Sequence, residues 1–139
     1  MTEQSHIDIG VGYITIHENY LVVIINKDET VTIETNKILL DLVDLFYQNK
    51  NFVYISNRKN SYAVNPTVYF ETKKIKNLIG FAVVSQKEIT KNNALIEKLF
   101  VDKPFKIFKE LNEATSWANS LVLENKKRVT VLAYLSENN

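Results

Sequence analysis

The sequence predicts an α/β protein with a mixed sheet of four to five strands, opened by an antiparallel hairpin, and with three to four helices packed on it. Three observations support this prediction. Residues 77–85 are a nearly unbroken apolar run, typical of a strand covered on both faces of a partly parallel sheet. Two shorter apolar runs near the start of the chain have the spacing of a hairpin. Segments of helical periodicity separate the remaining strands, and strand–helix–strand units favour parallel pairing with right-handed crossovers.

The N-terminal sequence predicts a loose polar start followed by a hairpin. Residues 1–9 are expected to be held loosely. Residues 13–17 and 21–25 are two β-type runs, and the three residues between them suit a short connection. The sheet is therefore expected to begin with two antiparallel strands.

A helix is predicted after the hairpin. Thr30 or Thr32 can cap it, and Glu34 places a negative charge near the positive end of the helix dipole. The expected buried stripe consists of Ile38, Leu39, Leu42, Val43, Leu45 and Phe46. Asp41 and Asp44 lie on the opposite, polar face, where solvated carboxylates have no reason to acquire the shifted pKa values that acid–base catalysis needs.

Two further helices are predicted in the middle of the chain. A polar connection follows the strand 52–55, and Asn65 and Pro66 then form a good helix start, with Asn as the cap and Pro at the first helical position. The next helix is expected over residues 89–100, before Pro104, which cannot continue a helix. Its expected buried stripe consists of Ala94, Leu95, Leu99 and Phe100.

The last predicted helix follows the short strand 106–109. Its apolar residues fall on one face at helical spacing, and they are Leu111, Ala114, Trp117, Ala118 and Leu121. Gly80 lies inside the central strand, where a glycine is expected to admit a closely packed helix. Because Trp117 belongs to this apolar face, it is expected in the core.

Composition limits the function. The 139 residues indicate a single domain with a core of about residues 12–122. The net charge is +1, which favours neither nucleic acid nor an anionic membrane, and 15 of the 17 basic residues are Lys, which suits bidentate phosphate binding poorly. The absence of cysteine excludes disulfides, thiolate catalysis and iron–sulfur clusters.

Several other classes of function lack support in the residues. Two histidines without thiols argue against a transition-metal site, and the three glycines form no phosphate-binding loop, so no metal or cofactor is expected. Neither a signal peptide nor an apolar run of about 18 residues is present. We therefore expect a cytoplasmic protein without membrane insertion.

The candidate site lies where the parallel strands end, because ligands of open sheets tend to bind outside the carboxyl ends of the strands. The residues at these ends are Ser56, Asn57 and Arg58, then Ser85, Gln86 and Lys87, then Lys109 and Glu110. Ser61 and Tyr62 are expected at the same polar edge, where Arg58 or Lys87 could attract an anion. The alternative interpretation is that these are ordinary solvated loop residues.

Three features together resemble the STAS domains, the sulfate-transporter and anti-sigma-factor-antagonist domains. They are the hairpin–helix opening, the run Leu78-Ile-Gly-Phe-Ala-Val-Val84, and the motif Phe108-x-x-x-x-Glu113-Ala114-x-x-Trp117. The resemblance covers about residues 12–122 and is closest to stand-alone bacterial domains of the SpoIIAA-like type. It implies a non-catalytic regulatory or protein-interaction module.

The resemblance also implies a regulatory phosphorylation position, at which this sequence differs from the family motif. In regulatory members, a partner kinase phosphorylates a Ser or Thr after the strand that matches residues 52–55, typically within Asp-Ser-Ser-Gly. This chain has Val64-Asn65-Pro66-Thr67 there, without the acid and the glycine. Ser61 and Thr67 are the nearest hydroxyl groups.

Three hypotheses of function follow. The first is a non-catalytic module that binds a protein partner through the loop after the third strand and the short helix starting at Pro66, with Asn65 and Thr67 as candidate contact residues. The second is a binder of a small apolar or lipid-like ligand, since related helix-on-sheet families include lipid carriers and the chain is rich in Phe, Ile and Leu. The third is an enzyme, which would need Arg58, Ser61 and His17 to converge.

Residues 127–135 lie beyond the region of resemblance. As a strand, they would place Val129, Val131, Ala133 and Leu135 on one face and Thr130, Leu132 and Tyr134 on the other. Such an uncharged, apolar edge invites aggregation unless it is covered. We therefore expect it to join its own sheet or to pair with a second copy in a homodimer.

Overall fold

The structure is a computed structural model that describes residues 5–138. Its strands are β1 (Ser5–Asp8), β2 (Gly12–Ile16), β3 (Tyr20–Ile25), β4 (Thr30–Val31), β5 (Phe52–Asn57), β6 (Ala63–Val64), β7 (Leu78–Val84) and β8 (Phe105–Phe108). Its helices are α1 (Ile33–Phe46), α2 (Val68–Thr72), α3 (Glu88–Val101) and α4 (Leu111–Glu137).

Six of the strands form one mixed sheet in the order β1-β2-β3-β5-β7-β8. The pairs β1–β2 and β2–β3 are antiparallel, whereas β3–β5, β5–β7 and β7–β8 are parallel. This confirms the predicted mixed sheet with its hairpin opening. The two-residue strands β4 and β6 pair in parallel as a separate small sheet beside it.

The start of the chain is more ordered than predicted. Residues 5–8, assigned to a loose N-terminus, form the edge strand β1, in which Ile7 pairs with Ile14 and packs against the core. Ile9, also assigned to the loose start, is buried in the core, and residues 1–4 lie outside the described residues. The sheet consequently has six strands rather than four or five, because β1 lengthens the antiparallel side.

Helices cover both faces of the sheet. Successive residues of a strand face opposite sides, so Leu21 and Val23 pack towards α1 while Val22 packs towards α4. Helices α2 and α3 share the α1 side, where they pack over Phe81 and Val83. This arrangement agrees with the long apolar run of β7, which is buried on both faces.

Gly80 lets α4 approach β7 closely, as predicted. A Cβ atom added at Gly80 would lie 2.6 Å from Cδ2 of Leu121 and 3.1 Å from Cη2 of Trp117. Ala114 and Ala118 are fully buried at the same interface. Small residues on both elements therefore bring the helix against the strand, and the large side chains of α4 fit beside them.

The stripe predicted for α1 is partly wrong. Thr32 is the cap, and its side chain accepts a hydrogen bond from the backbone of Thr35. Leu39 and Val43 are buried and Leu42 is half-buried, but the other three predicted members are exposed, namely Ile38, Leu45 and Phe46. The helix lies on the sheet along one narrow face, so apolar residues beside that face remain in solvent.

The stripe predicted for α3 is also partly wrong, because Ala94 is the one predicted member that is buried. Ala94 and Val101, two turns apart, are the buried residues of this helix. Leu95, Leu99 and Phe100 are exposed, with Leu99 81% accessible. The helix lies at the margin of the sheet beside α2, where a small residue allows close contact and the large residues point outwards.

The C-terminal segment is a helix and not a strand. Helix α4 continues unbroken for 27 residues, through all of residues 127–135. Its last buried residue is Val122, and we call residues 123–137 the free end of α4. This end is about 22 Å long at 1.5 Å per residue. Among residues 5–138, no helix combines the length and the hydrophobicity needed to cross a bilayer.

Candidate functional site

The carboxyl ends of the parallel strands meet at a groove of about 470 Å³, here called the edge groove. It is lined by most of the predicted site residues, namely Asn57, Arg58, Ser85, Gln86, Lys87, Lys109 and Glu110. Gln86 Nε2 donates a hydrogen bond to Glu110 Oε1 at 2.8 Å across this groove. The topology of the sheet thus brings three separate strand ends together, as the sequence indicated.

Ser56 is placed differently from the prediction. Because neighbouring residues of β5 face opposite sides of the sheet, Asn57 faces the edge groove while Ser56 faces the interior on the α1 side. Ser56 is buried, and its Oγ lies 3.0 Å from the hydroxyl of Tyr62. It therefore belongs to a buried polar cluster rather than to the solvent-exposed edge.

Arg58 is the centre of that cluster. Its Nε donates to Ser56 Oγ at 3.0 Å, and its two terminal nitrogens donate to the two carboxylate oxygens of Glu97 on α3. The side chains of Arg58 and Glu97 are only 7% and 13% accessible. The guanidinium also lies 5.7 Å from the centre of the Tyr62 ring. Arg58 thus joins β5 to α3.

The charge of Arg58 is already compensated. Burial opposes this charge, but the electrostatic effects of Tyr62 and Glu97 and the hydrogen bond to Glu97 outweigh it and raise the pKa of Arg58 above its ordinary value. The prediction that Arg58 attracts an anion therefore does not fit the structure, because a bidentate carboxylate already occupies its fork. Lys87, the other predicted residue, is exposed in the edge groove.

A second groove of about 470 Å³ lies between α3 and the segment 60–66, and we call it the loop groove. Ser61 and Tyr62, both predicted as site residues, line it. Ile89 and Ile96 line its α3 side, although they are 70% and 59% accessible. The sequence prediction missed both isoleucines. The signal that could have revealed them is that α3 carries apolar residues on more than one face.

Asn65 and Thr67 form the turn into α2. The Oδ1 of Asn65 accepts hydrogen bonds from the backbone N of Thr67 at 3.1 Å and from its hydroxyl at 2.9 Å. Helix α2 begins at Val68 with Thr67 as its cap residue, so the predicted start at Pro66 is two residues early. The side chains of Ser61 and Thr67, the candidate phosphorylation sites, are both exposed.

A cavity of about 40 Å³ lies under α1 and the small β4–β6 sheet, and we call it the Asn36 cavity. Its lining is mainly apolar, and its polar side chains are those of Thr35, Asn36, Tyr54, Ser56, Arg58, Tyr62, Tyr69 and Thr72. Burial raises the pKa of Tyr69, so its phenol is neutral. An engineered apolar cavity that takes up benzene is about 150 Å³. The Asn36 cavity is therefore too small for the lipid-like ligand of the second hypothesis.

The catalytic arrangement required by the third hypothesis is not formed. His17 follows β2 and its backbone N bonds to the carbonyl of Tyr20, at the amino end of β3. Arg58 and Ser61 follow the carboxyl end of β5, which runs parallel to β3. The ring of His17 stacks on Tyr20 at 4.5 Å, and burial lowers its pKa. His17 therefore lies at the opposite end of the sheet from the other two residues.

Acidic and histidine side chains are dispersed in the structure. Between Ser5 and Asn138, no group of three or more of them is placed to hold a metal ion. The polar groups that converge are hydroxyls, amides, the Arg58–Glu97 ion pair and, in the edge groove, the charged side chains of Lys87, Lys109 and Glu110.

Comparison with known proteins provides a structure of similar fold. No protein-family model matches the chain, and no curated protein sequence matches it. A similar solved structure is that of an uncharacterized protein from the DUF3478 family, with a SpoIIAA-like fold, from Shewanella loihica PV-4. The two share 16% sequence identity with a TM-score of 0.52, over 85% of this chain and 98% of that chain. The chain therefore has the SpoIIAA-like mixed α/β fold that its sequence predicted.

Proposed function

We propose that this protein is a non-catalytic interaction module of the regulatory kind and that a protein partner binds in the loop groove. The observation that carries the proposal is the pair Ile89 and Ile96, which are well exposed in a groove whose lining also includes polar residues, among them Asn60, Ser61 and Asn93. Exposed apolar residues rimmed by polar groups are typical of protein-binding surfaces. The groove contains Ser61 and Tyr62, in the loop from which a partner surface was expected.

The geometry of α3 supports this proposal. Ile89 and Ile96 are two helical turns apart and share a face of the helix. The ion pair between Arg58 and Glu97 holds that helix to the end of β5. A surface held in place before binding loses less conformational freedom when a partner docks. We expect a partner segment with two apolar side chains that contact the isoleucines and polar groups that face Ser61.

Substitution of the isoleucines tests this proposal. The partner is first captured by the immobilised wild-type protein, identified and titrated against purified variants. Ile89→Asp and Ile96→Asp should each weaken its binding about tenfold to a hundredfold, because each removes an apolar anchor worth about 1.5–3 kcal/mol. Leu45→Asp is the matched control, since Leu45 is 73% exposed on α1 and does not line the groove. Equal affinity of all variants would refute the proposal.

We further propose that the free end of α4 pairs with a second copy of the chain. The buried face of α4 continues beyond the sheet through Ala118, Val122, Asn125, Val129 and Leu132, which are four, three, four and three residues apart. This spacing repeats every seven residues, the period that packs two helices side by side. Val129 and Leu132 are nevertheless exposed in the single chain.

Truncation after Asn125 tests the pairing. Light scattering should give the mass of a dimer for the full chain and the mass of a monomer for the truncated chain. The truncation leaves the buried part of α4 intact, as its last buried residue is Val122. A monomeric full-length protein, or a truncated protein that remains a stable dimer, would contradict the proposal.

A further inference from the structure

Asn36 has a buried amide whose nitrogen lacks a protein partner. It is the fourth residue of α1 and is only 5% accessible. Within the described residues, its Nδ2 makes no hydrogen bond. An unpaired buried amide is costly, and buried polar groups in native proteins nearly always bond to protein or to a bound molecule. Asn36 is among the residues that line the Asn36 cavity, so that cavity is the candidate source of the missing acceptor.

The other polar groups of the cavity define the charge of this molecule. Arg58 is the charged residue of the lining, and Glu97 neutralises it in a bidentate ion pair. Ser56 Oγ and the Tyr62 hydroxyl lie 3.0 Å apart, and either can donate to the other. The site therefore has no free charge to attract an ion. A neutral molecule is favoured, because transfer of an uncompensated ion into such a lining is strongly unfavourable.

The volume and the apolar walls define its size and shape. A water molecule needs a cavity of roughly 10–15 Å³, so about 40 Å³ holds about three or four waters or an organic molecule of similar bulk. Val23, Ile25, Leu39 and Val68 supply apolar walls. Nδ2 of Asn36 requires an acceptor, for which a hydroxyl or carbonyl oxygen is well suited.

We propose that the Asn36 cavity is a binding site for a small uncharged molecule whose oxygen accepts a hydrogen bond from Nδ2 of Asn36. Two sources supply this chemistry, namely water and a hydroxyl or carbonyl compound of about four heavy atoms. Asn36 does not line the loop groove, although Arg58, Tyr62 and Val64 line both sites, so a signal read at Asn36 reports on the Asn36 cavity.

The test uses the full-length protein labelled with ¹⁵N and observes the side-chain amide of Asn36 by NMR. A cross-relaxation signal between its NH₂ protons and a long-lived water is expected in the free protein. Acetone is then titrated as a neutral probe with four heavy atoms, and acetate is the matched charged probe of the same heavy-atom count. Saturable shifts of Asn36 with acetone but not with acetate identify an organic ligand, whereas the water signal alone identifies water as the occupant.

Asn36→Leu is the matched variant, because leucine has a similar size and no donor. The variant is read at the backbone amide of residue 36, which both proteins have, and acetone binding should weaken about twofold to tenfold, the loss expected for one hydrogen bond. The wild-type measurements stand even if this variant is unstable. The proposal is overturned if the Asn36 amide contacts neither water nor acetone, if acetate binds as well as acetone, or if a folded Asn36→Leu variant binds acetone as the wild type does.

Discussion

Removing one partner of the Arg58–Glu97 ion pair should destabilise the protein far more than removing both. The side chains are 7% and 13% accessible, so either charge would remain buried without its partner. Breaking a buried pair on one side typically costs about 3–5 kcal/mol, whereas apolar replacement of both partners is often neutral or stabilising. Since domains are typically stable by about 5–15 kcal/mol, each single variant should lose a large part of the total.

Urea unfolding of four proteins measures this difference: wild type, Arg58→Met, Glu97→Leu and the double variant. With an m value of about 1.5 kcal/mol per M, each single variant should unfold at roughly 2–3 M less urea than the wild type. The double variant should lie near the wild type. Ser56→Ala is the control, because Arg58→Met also removes the hydrogen bond from Nε to Ser56. Single variants within about 1 kcal/mol of wild type would contradict the prediction, because they would mean that the pair behaves as a solvated surface pair.

Three other predictions concern the core and the hairpin. Tyr47→Phe should lower the free energy of unfolding by about 1–2 kcal/mol, because the buried hydroxyl shares its proton between the carbonyl oxygens of His17 and Tyr20, each at 2.6 Å. An unchanged midpoint of thermal unfolding would contradict this role. Gly80→Ala should lower the free energy of unfolding by about 1–3 kcal/mol, because the added methyl group overpacks against Leu121. If that contact is responsible, the double variant Gly80→Ala with Leu121→Ala should lose less stability than the sum of the two single variants. Burial lowers the pKa of folded His17, so the unfolded state binds more protons below about pH 6.5 and stability falls as the pH decreases. A His17→Gln variant should show a smaller decrease between pH 7 and pH 5, and an equal decrease would exclude His17 as its source.

Elements with an unambiguous local pattern could be predicted from the sequence. The apolar run of β7 requires cover on both faces, and the alanines of α4 match Gly80 as small residues at a close contact. Strand β1 could not be predicted in this way, because its residues are mostly polar and its order depends on pairing with β2. The two-residue strands β4 and β6 could not be predicted either, because each forms only by pairing with the other, more than thirty positions away in the sequence.

The candidate site was predicted in outline but not in its internal contacts. Chain topology alone places Asn57, Gln86 and Lys109 at one edge, since the carboxyl ends of parallel strands coincide there. The pairing of Arg58 with Glu97 spans 39 residues and has no local signature. Asn36 also resembles an ordinary polar residue of an amphipathic helix, because its burial depends on how α1 lies on the sheet.

The free end of α4 divides that helix into two parts with different stability. Residues 111–122 include buried contacts with the sheet, so their amide hydrogens should exchange with solvent only when that packing opens. The free end has no such support, and an isolated helix of about fifteen residues is marginally stable in water. Its amides should therefore exchange quickly through local fraying in the single chain. Any molecule that binds this end, including a second copy, first has to order it, so protection of these amides would rise with protein concentration in step with association.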